Sequence, residues 1–160
     1  MRFLGGRPKP WGEILIAMRT GSLPFWLHGT GKFARRARVA ISDIAHFTNV
    51  GFDEAAWPNF PFKQTYTQID AAEMLNLDSL QIRRVMNIGA LEFRPEGVAM
   101  IVDRAPVLEL ASAYIATAEI ALRTGMGFTG VPNLMRRHTQ VTRHEAGWLR
   151  CEFDKVFGAR

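Results

Sequence analysis

Residues Gln68 to Val85, QIDAAEMLNLDSLQIRRV, constrain the fold more than any other stretch of the chain. Their spacing is that of two short helices joined by a tight turn. Gln68 opens the first helix, and Ala72 lies four residues on, small enough for a second helix to cross close by. Asn76 and Leu77 make the turn, where asparagine tolerates a left-handed backbone better than most residues. Ile82 and Val85 follow at helical spacing and form, with Met74 and Leu77, a small core between the helices. Asp78 or Ser79 is placed to cap the second helix. Ser79, Leu80, Arg83, Arg84 and Asn87 are left on its outer face.

The second helix ends at Gly89, and LEFRPEGVAMIVD then reads as two short strands about a Pro-Glu-Gly turn. Asp103 is placed to cap a further helix from Arg104 to about Tyr114. Helix, turn, helix, hairpin and helix together make a winged arrangement. This order resembles the excisionase and MerR-type DNA-binding domains, in which a hairpin wing follows the second helix. The resemblance implies DNA binding through short helices and wings, often with a protein partner, and no enzymatic activity.

The same pattern recurs along the chain. Glu13–Phe25 aligns with Gln81–Phe93 without a gap. Ile14 matches Ile82, Met18 matches Met86, Gly21 matches Gly89, Leu23 matches Leu91 and Phe25 matches Phe93. VAISDIA from Val39 matches AMIVDRA from Ala99, so Asp43 stands where Asp103 stands. Residues 1–50 therefore read as a degenerate winged unit: helix 11–20, strands around 23–28 and 36–41, and helix 43–49. Its helix carries Leu15 and Ile16 where the middle unit has Arg83 and Arg84, which implies an outer face buried against another surface. Its hairpin carries Lys32, Arg35, Arg36 and Arg38 beside Gly29-Thr30-Gly31, a candidate wing tip for phosphate. MRTGSLPFW with VAISDIAHF also resembles the C-terminal helix-turn-helix region of TniQ-like transposon-targeting proteins. The zinc-binding part of that family has no counterpart here, because Cys151 is the single cysteine.

Residues 51–64, GFDEAAWPNFPFKQ, read as an aromatic, proline-broken connection that packs back onto a core. Residues 65–114 are the winged helix-turn-helix already described, and residues 115–160 are a second one. In that unit Thr117, Ala121, Gly125, Met126, Val131 and Leu134 fall where Gln68, Ala72, Asn76, Leu77, Ile82 and Val85 fall. Pro132 is tolerable only in a first helical turn, so the second helix must start near Val131. Gln140–Phe153 reads as the hairpin, turning at Glu145-Ala146-Gly147, with Asp154 opening a last stub of helix. Here the chemistry best suited to DNA collects. Asn133, Arg136, Arg137 and His138 lie on or just after the helix, and Arg143 and His144 lie on the wing. Arginine bonds guanine edges or phosphates, asparagine reads adenine, and a wing arginine enters a minor groove.

Charge sharpens this contrast. The chain carries +5 overall, which favours an acidic partner. Residues 65–115 hold four basic and seven acidic side chains, whereas residues 116–160 hold seven basic and four acidic. Because phosphate neutralisation supplies much of DNA affinity, the C-terminal unit is the stronger candidate for the main contact surface.

No catalytic set emerges. His28, His46, His138 and His144 stand at no metal-ligand spacing, Gly29-Thr30-Gly31-Lys32 lacks the Walker pattern, and no serine sits in a nucleophile elbow. A single cysteine forms no intrachain disulfide and points to a reducing compartment. Neither a signal sequence nor an apolar run long enough to span a bilayer is present. The expectation is a mainly α protein with short β-hairpin wings (α+β), built of tandem winged helix-turn-helix units, located in the cytoplasm. It binds double-stranded DNA without cofactor, metal or enzymatic activity. The alternative is a non-catalytic protein-interaction adaptor on the same scaffold, acting through a protein partner or self-association.

Overall fold

A computed structural model of the chain describes Gly6 and residues 11–40, 42–43 and 63–158. It is mixed α and β, with short helices and small antiparallel sheets. The chain divides into two units, Pro8–Asp53 and a larger one holding Glu54–Arg160 with Met1–Arg7.

Two capping boxes in series build the heart of the larger unit. Strand β3 (Thr65–Thr67) runs into helix α3 (Gln68–Leu75). The Thr67 hydroxyl accepts the Asp70 N–H, and the Asp70 carboxylate accepts the Thr67 N–H, both at 3.2 Å. The helix stops at Asn76, whose φ of 54° is the left-handed turn expected of it. Helix α4 (Ser79–Asn87) starts at once, with the Asp78 carboxylate accepting from Leu80 and Gln81 N–H at 2.9 and 2.8 Å. The Gln81 side chain returns a bond to the Asp78 N–H at 3.0 Å. These reciprocal caps satisfy backbone donors that helix starts leave unpaired, and so fix the two helices about a three-residue corner.

Strands β4 (Arg94–Glu96) and β5 (Ala99–Asp103) then form the hairpin, followed by helix α5 (Arg104–Ala113). The sheet has three strands, because β3 also pairs with β5, Tyr66 facing Val102. Ile82, Val85, Ala71, Ala72, Met74, Leu75, Leu91, Val102, Val107 and Ala111 are buried together, with Leu77 partly covered. Asp103 does not cap α5 as expected. Its carboxylate accepts from Arg94 Nη2 across the hairpin at 2.7 Å instead.

The same order repeats without a linker. Strand β6 (Tyr114–Ile115) takes up the last position assigned to the preceding helix and leads into helix α6 (Thr117–Thr124). Gly125 takes the left-handed turn at φ 69°, matching Asn76. A 3-10 turn, Phe128–Gly130, and helix α7 (Val131–Arg137) occupy the place of α4. Pro132 lies in the first turn, as required. Strands β7 (Arg143–His144) and β8 (Gly147–Leu149) and helix α8 (Arg150–Phe157) close the repeat. Sheet order β6-β8-β7 matches β3-β5-β4. Two expectations are corrected. Met135, not Leu134, is the second buried residue of α7 beside Val131, because the helix starts late and its inner face is shifted by one position. Arg150–Phe153 are helical rather than strand, and the helix opens at Arg150 rather than Asp154, because α8 starts directly at the end of β8.

Glu119 is the buried charged residue among those described, with 0% of its side chain exposed. Arg150 grips its carboxylate with two nitrogens, Nη1 at 2.5 Å and Nη2 at 2.9 Å. Arg123, one helical turn on, lies 3.0 Å away and also donates to Asp154 at 2.6 Å. Arg150 further donates to the carbonyl oxygens of Ala111 and Tyr114 at the end of α5.

In the smaller unit, helix α1 (Trp11–Thr20) buries Ile14 and Met18 and ends at Gly21, φ 78°, with Leu23 buried beyond it. Ile82, Gly89 (φ 70°) and Leu91 repeat those features, which gives the sequence match a shared local geometry. Leu15 and Ile16 are exposed, contrary to the buried outer face expected. The strands are shorter than expected: β1 (Trp26–Leu27) pairs with β2 (Ala37–Arg38). Between them stands the helical turn α2 (Phe33–Arg36), not a wing tip. The helix expected over 43–49 and the connection 51–64 fall outside the described residues, save Asp43, Lys63 and Gln64.

Replacing Glu119 by Ala should leave Arg150 without a carboxylate among the described residues and Arg123 with Asp154 alone, and cost about 3–5 kcal/mol of stability, read by denaturant unfolding. Gly147→Ala should cost about 1–3 kcal/mol. A Cβ there would meet the Ile115 carbonyl oxygen at 2.3 Å, with backbone at φ 139°. Unchanged unfolding midpoints would contradict both.

Candidate nucleic-acid interface

The candidate surface is the pair of second helices, α4 and α7, with their hairpins. On α4 the buried Ile82 and Val85 turn the opposite side outward, so that Ser79, Arg83, Arg84 and Asn87 are exposed. On α7 Val131 and Met135 face the core and Asn133, Arg136 and Arg137 face out. Both second helices thus expose an arginine pair, although at different places: Arg83 and Arg84 lie between the core residues Ile82 and Val85, whereas Arg136 and Arg137 follow the last core residue, Met135.

What distinguishes these arginines is that nothing acidic holds them. Arg83, Arg84, Arg136 and Arg137 enter no ion pair among the described residues. Arg123 and Arg150 are committed to Glu119 and Asp154, and Arg94 to Asp103. Arg104 reaches the Tyr66 hydroxyl at 3.1 Å. Two of the seven basic side chains counted in residues 116–160 are therefore committed inside the fold together with two of the four acidic ones, which leaves the basic excess unchanged.

The residues of the last hairpin and of the end of α7 divide. Arg143 is exposed, its guanidinium 5.7 Å from the centre of the Trp148 ring. His144 is half-buried, stacked on Tyr114 at 4.6 Å, and its Nδ1 accepts the Ala146 N–H at 3.3 Å. His138 is half-buried and meets Phe157 edge-on at 4.8 Å. Both histidines, expected at the contact surface, are held in packing by aromatic neighbours. The middle hairpin is acidic, with Glu92, Glu96 and Asp103 against Arg94 alone. The Arg94 guanidinium beside Asp103 holds that carboxyl below its ordinary value. The pair is solvent-exposed, so its contribution is small.

In the smaller unit Lys32 and Arg38 are exposed, Arg38 standing opposite Trp26 in the β1–β2 pair. Arg36 is half-buried on α2, and its carbonyl accepts the His28 N–H at 3.0 Å. The four charges expected together at one tip are therefore spread over a helical turn and a strand; the Arg35 side chain falls outside the described residues. His46 does so too.

Exposed apolar residues border the α4 face. Leu80 is 59% and Ile88 50% exposed, either side of Arg84 at four-residue steps. Leu80 stands on the outer face as expected, and Ile88, not among the residues expected there, extends that face.

Among the described residues no group of three or more histidine, cysteine or acidic side chains could hold a metal ion. No described helix is long and apolar enough to cross a membrane. Compared with protein-family models, curated proteins and solved structures, the chain matches none.

Arg94→Ala should return the Asp103 carboxyl to the ordinary carboxylate range, followed by NMR titration. Because the folded value is the lower one, the associated stability is present above the ordinary carboxylate range. It is lost as pH falls through the folded value, so wild type and variant should differ least in strong acid. An unmoved Asp103 titration would disprove the pairing.

Proposed function

We propose that this chain is a non-catalytic, regulatory or recombination-associated DNA-binding protein that uses two tandem winged helix-turn-helix units, residues 65–114 and 115–160. The observation that carries the reading is that each second helix, α4 and α7, exposes a pair of arginines without acidic partners among the described residues, Arg83 with Arg84 and Arg136 with Arg137. Elsewhere in the two repeats Arg94, Arg123 and Arg150 are neutralised within the fold. A second helix packed against the first through buried residues, with a hairpin after it, suits insertion in a major groove. In this reading Asn133, Arg136 and Arg137 contact DNA first, with Arg143 beside them. Ser79, Arg83, Arg84 and Asn87 form the lesser surface, because the middle repeat is net acidic. Lys32 and Arg38 add phosphate contacts from the smaller unit.

One observation favours a second reading, a non-catalytic protein-interaction adaptor. Leu80 and Ile88 make the exposed face of α4 partly apolar. Such a face suits a protein groove better than a phosphate backbone.

Titrating the chain into labelled random duplex at about 50 and about 200 mM salt separates the two. Six or more phosphate contacts should cost about a thousandfold in affinity over that range. Absence of binding at the lower salt would favour the adaptor. Arg136→Ala with Arg137→Ala should weaken binding more than Arg83→Ala with Arg84→Ala. Equal losses, or the reverse order, would show that α7 is not the principal contact helix.

A further inference from the structure

We propose that the two repeats act as one rigid reading head, which recognises a single composite duplex site of fixed length rather than two separable half-sites. The inference rests on the DNA-binding reading above. Its basis is the way the second repeat is built into the first. Helix α5 ends at Ala113 and strand β6 begins at Tyr114, so no linker separates the repeats. Arg150, on the last helix, donates to the carbonyl oxygens of Ala111 and Tyr114 while gripping Glu119, and so clamps the end of one repeat to the core of the next.

The second hairpin is committed in the same direction. Ala146, at its turn, is buried in the core of the middle repeat with Val107 and Ala111. His144 stacks on Tyr114. Gly147 approaches the Ile115 backbone so closely that a methyl group has no room. Tandem modules on flexible linkers accept variable spacing at a modest loss of effective concentration. Here chain continuity, a buried ion pair and shared core residues leave α4 and α7 no such freedom. The spacing between the two arginine pairs is therefore set by the fold, and the proposed complex seats both on one duplex in one register.

The test uses the whole chain. A site is selected from a random duplex pool, and one helical half-turn, about 5 bp, or one full turn, about 10 bp, is then inserted at each step between its outermost specifying base pairs. Every insertion should reduce affinity by about a hundredfold or more, as the loss of several base contacts requires. The full-turn insertion should recover nothing, because a rigid head does not stretch. Both double variants, at Arg83 with Arg84 and at Arg136 with Arg137, should lose affinity at the same site. A step that accepts either insertion within about threefold would overturn the inference. So would a double variant that binds the site unchanged. In either case DNA binding itself would stand. If no duplex is retained at all, the DNA-binding reading fails and the rigid head with it.

Discussion

Everything in the larger unit turns on where a buried carboxylate finds its counter-charge. Glu119 lies in the interior, where an unpaired charge would cost several kcal/mol, and it is tolerable because Arg150 and Arg123 reach it together. The geometry is demanding. A two-pronged guanidinium fixes the direction of α8 against α6, and the remaining donors of Arg150 fix both against the end of α5. Apolar packing alone would hold these elements together without setting their angles so narrowly. The ion pair adds register to a core that is otherwise apolar, with Trp148 and Phe153 among Ile115, Ile120 and Val131.

That arrangement also decides which charges the molecule offers. Summed from the sequence, the C-terminal repeat is basic and the middle one acidic. In the fold, two of the C-terminal arginines neutralise Glu119 and Asp154, and a third of the unit's cationic groups, Arg143, lies over Trp148. Each such pair consumes one acid with one base, so the net contrast between the repeats stands while the number of arginines open to a partner falls. What survives is a local feature, an arginine pair on each second helix, and it is this that supports the DNA-binding proposal.

Much of the local structure was legible in the residues. Asn76 and Gly125 stand at left-handed turns, Asp78 caps α4, and Pro132 sits in the first turn of α7. Each depends on interactions within a few residues, which sequence spacing captures. The recurrence of Ile, Gly and Leu between α1 and α4 likewise marks one helix end used twice. What escaped was set by distant partners. Strands β3 and β6 are two or three residues long and exist because β5 and β8 pair with them. Asp103 had every local reason to cap α5, yet Arg94 across the hairpin claims its carboxylate. His138 and His144 resemble surface cations in sequence and are packed against Phe157 and Tyr114 in the fold. The Glu119 network required bringing together residues 31 apart, and only its Glu119–Arg123 step lies at helical spacing.

The separation of Glu119 from Arg150 has a consequence for the order in which the protein is made. A chain emerging from the ribosome presents Glu119 and Arg123 long before Arg150 exists, and Ile115 before Trp148, its partner in the sheet. Until α8 has been synthesised, the carboxylate has only one of its two guanidinium partners and must stay near water. Because Ala146 completes the middle core, that repeat too remains unfinished. The larger unit therefore closes late, when its last helix is free of the exit tunnel, and the nascent chain carries open strand edges until then. Such edges invite pairing with other chains, so the C-terminal helix serves as the step that ends this exposure.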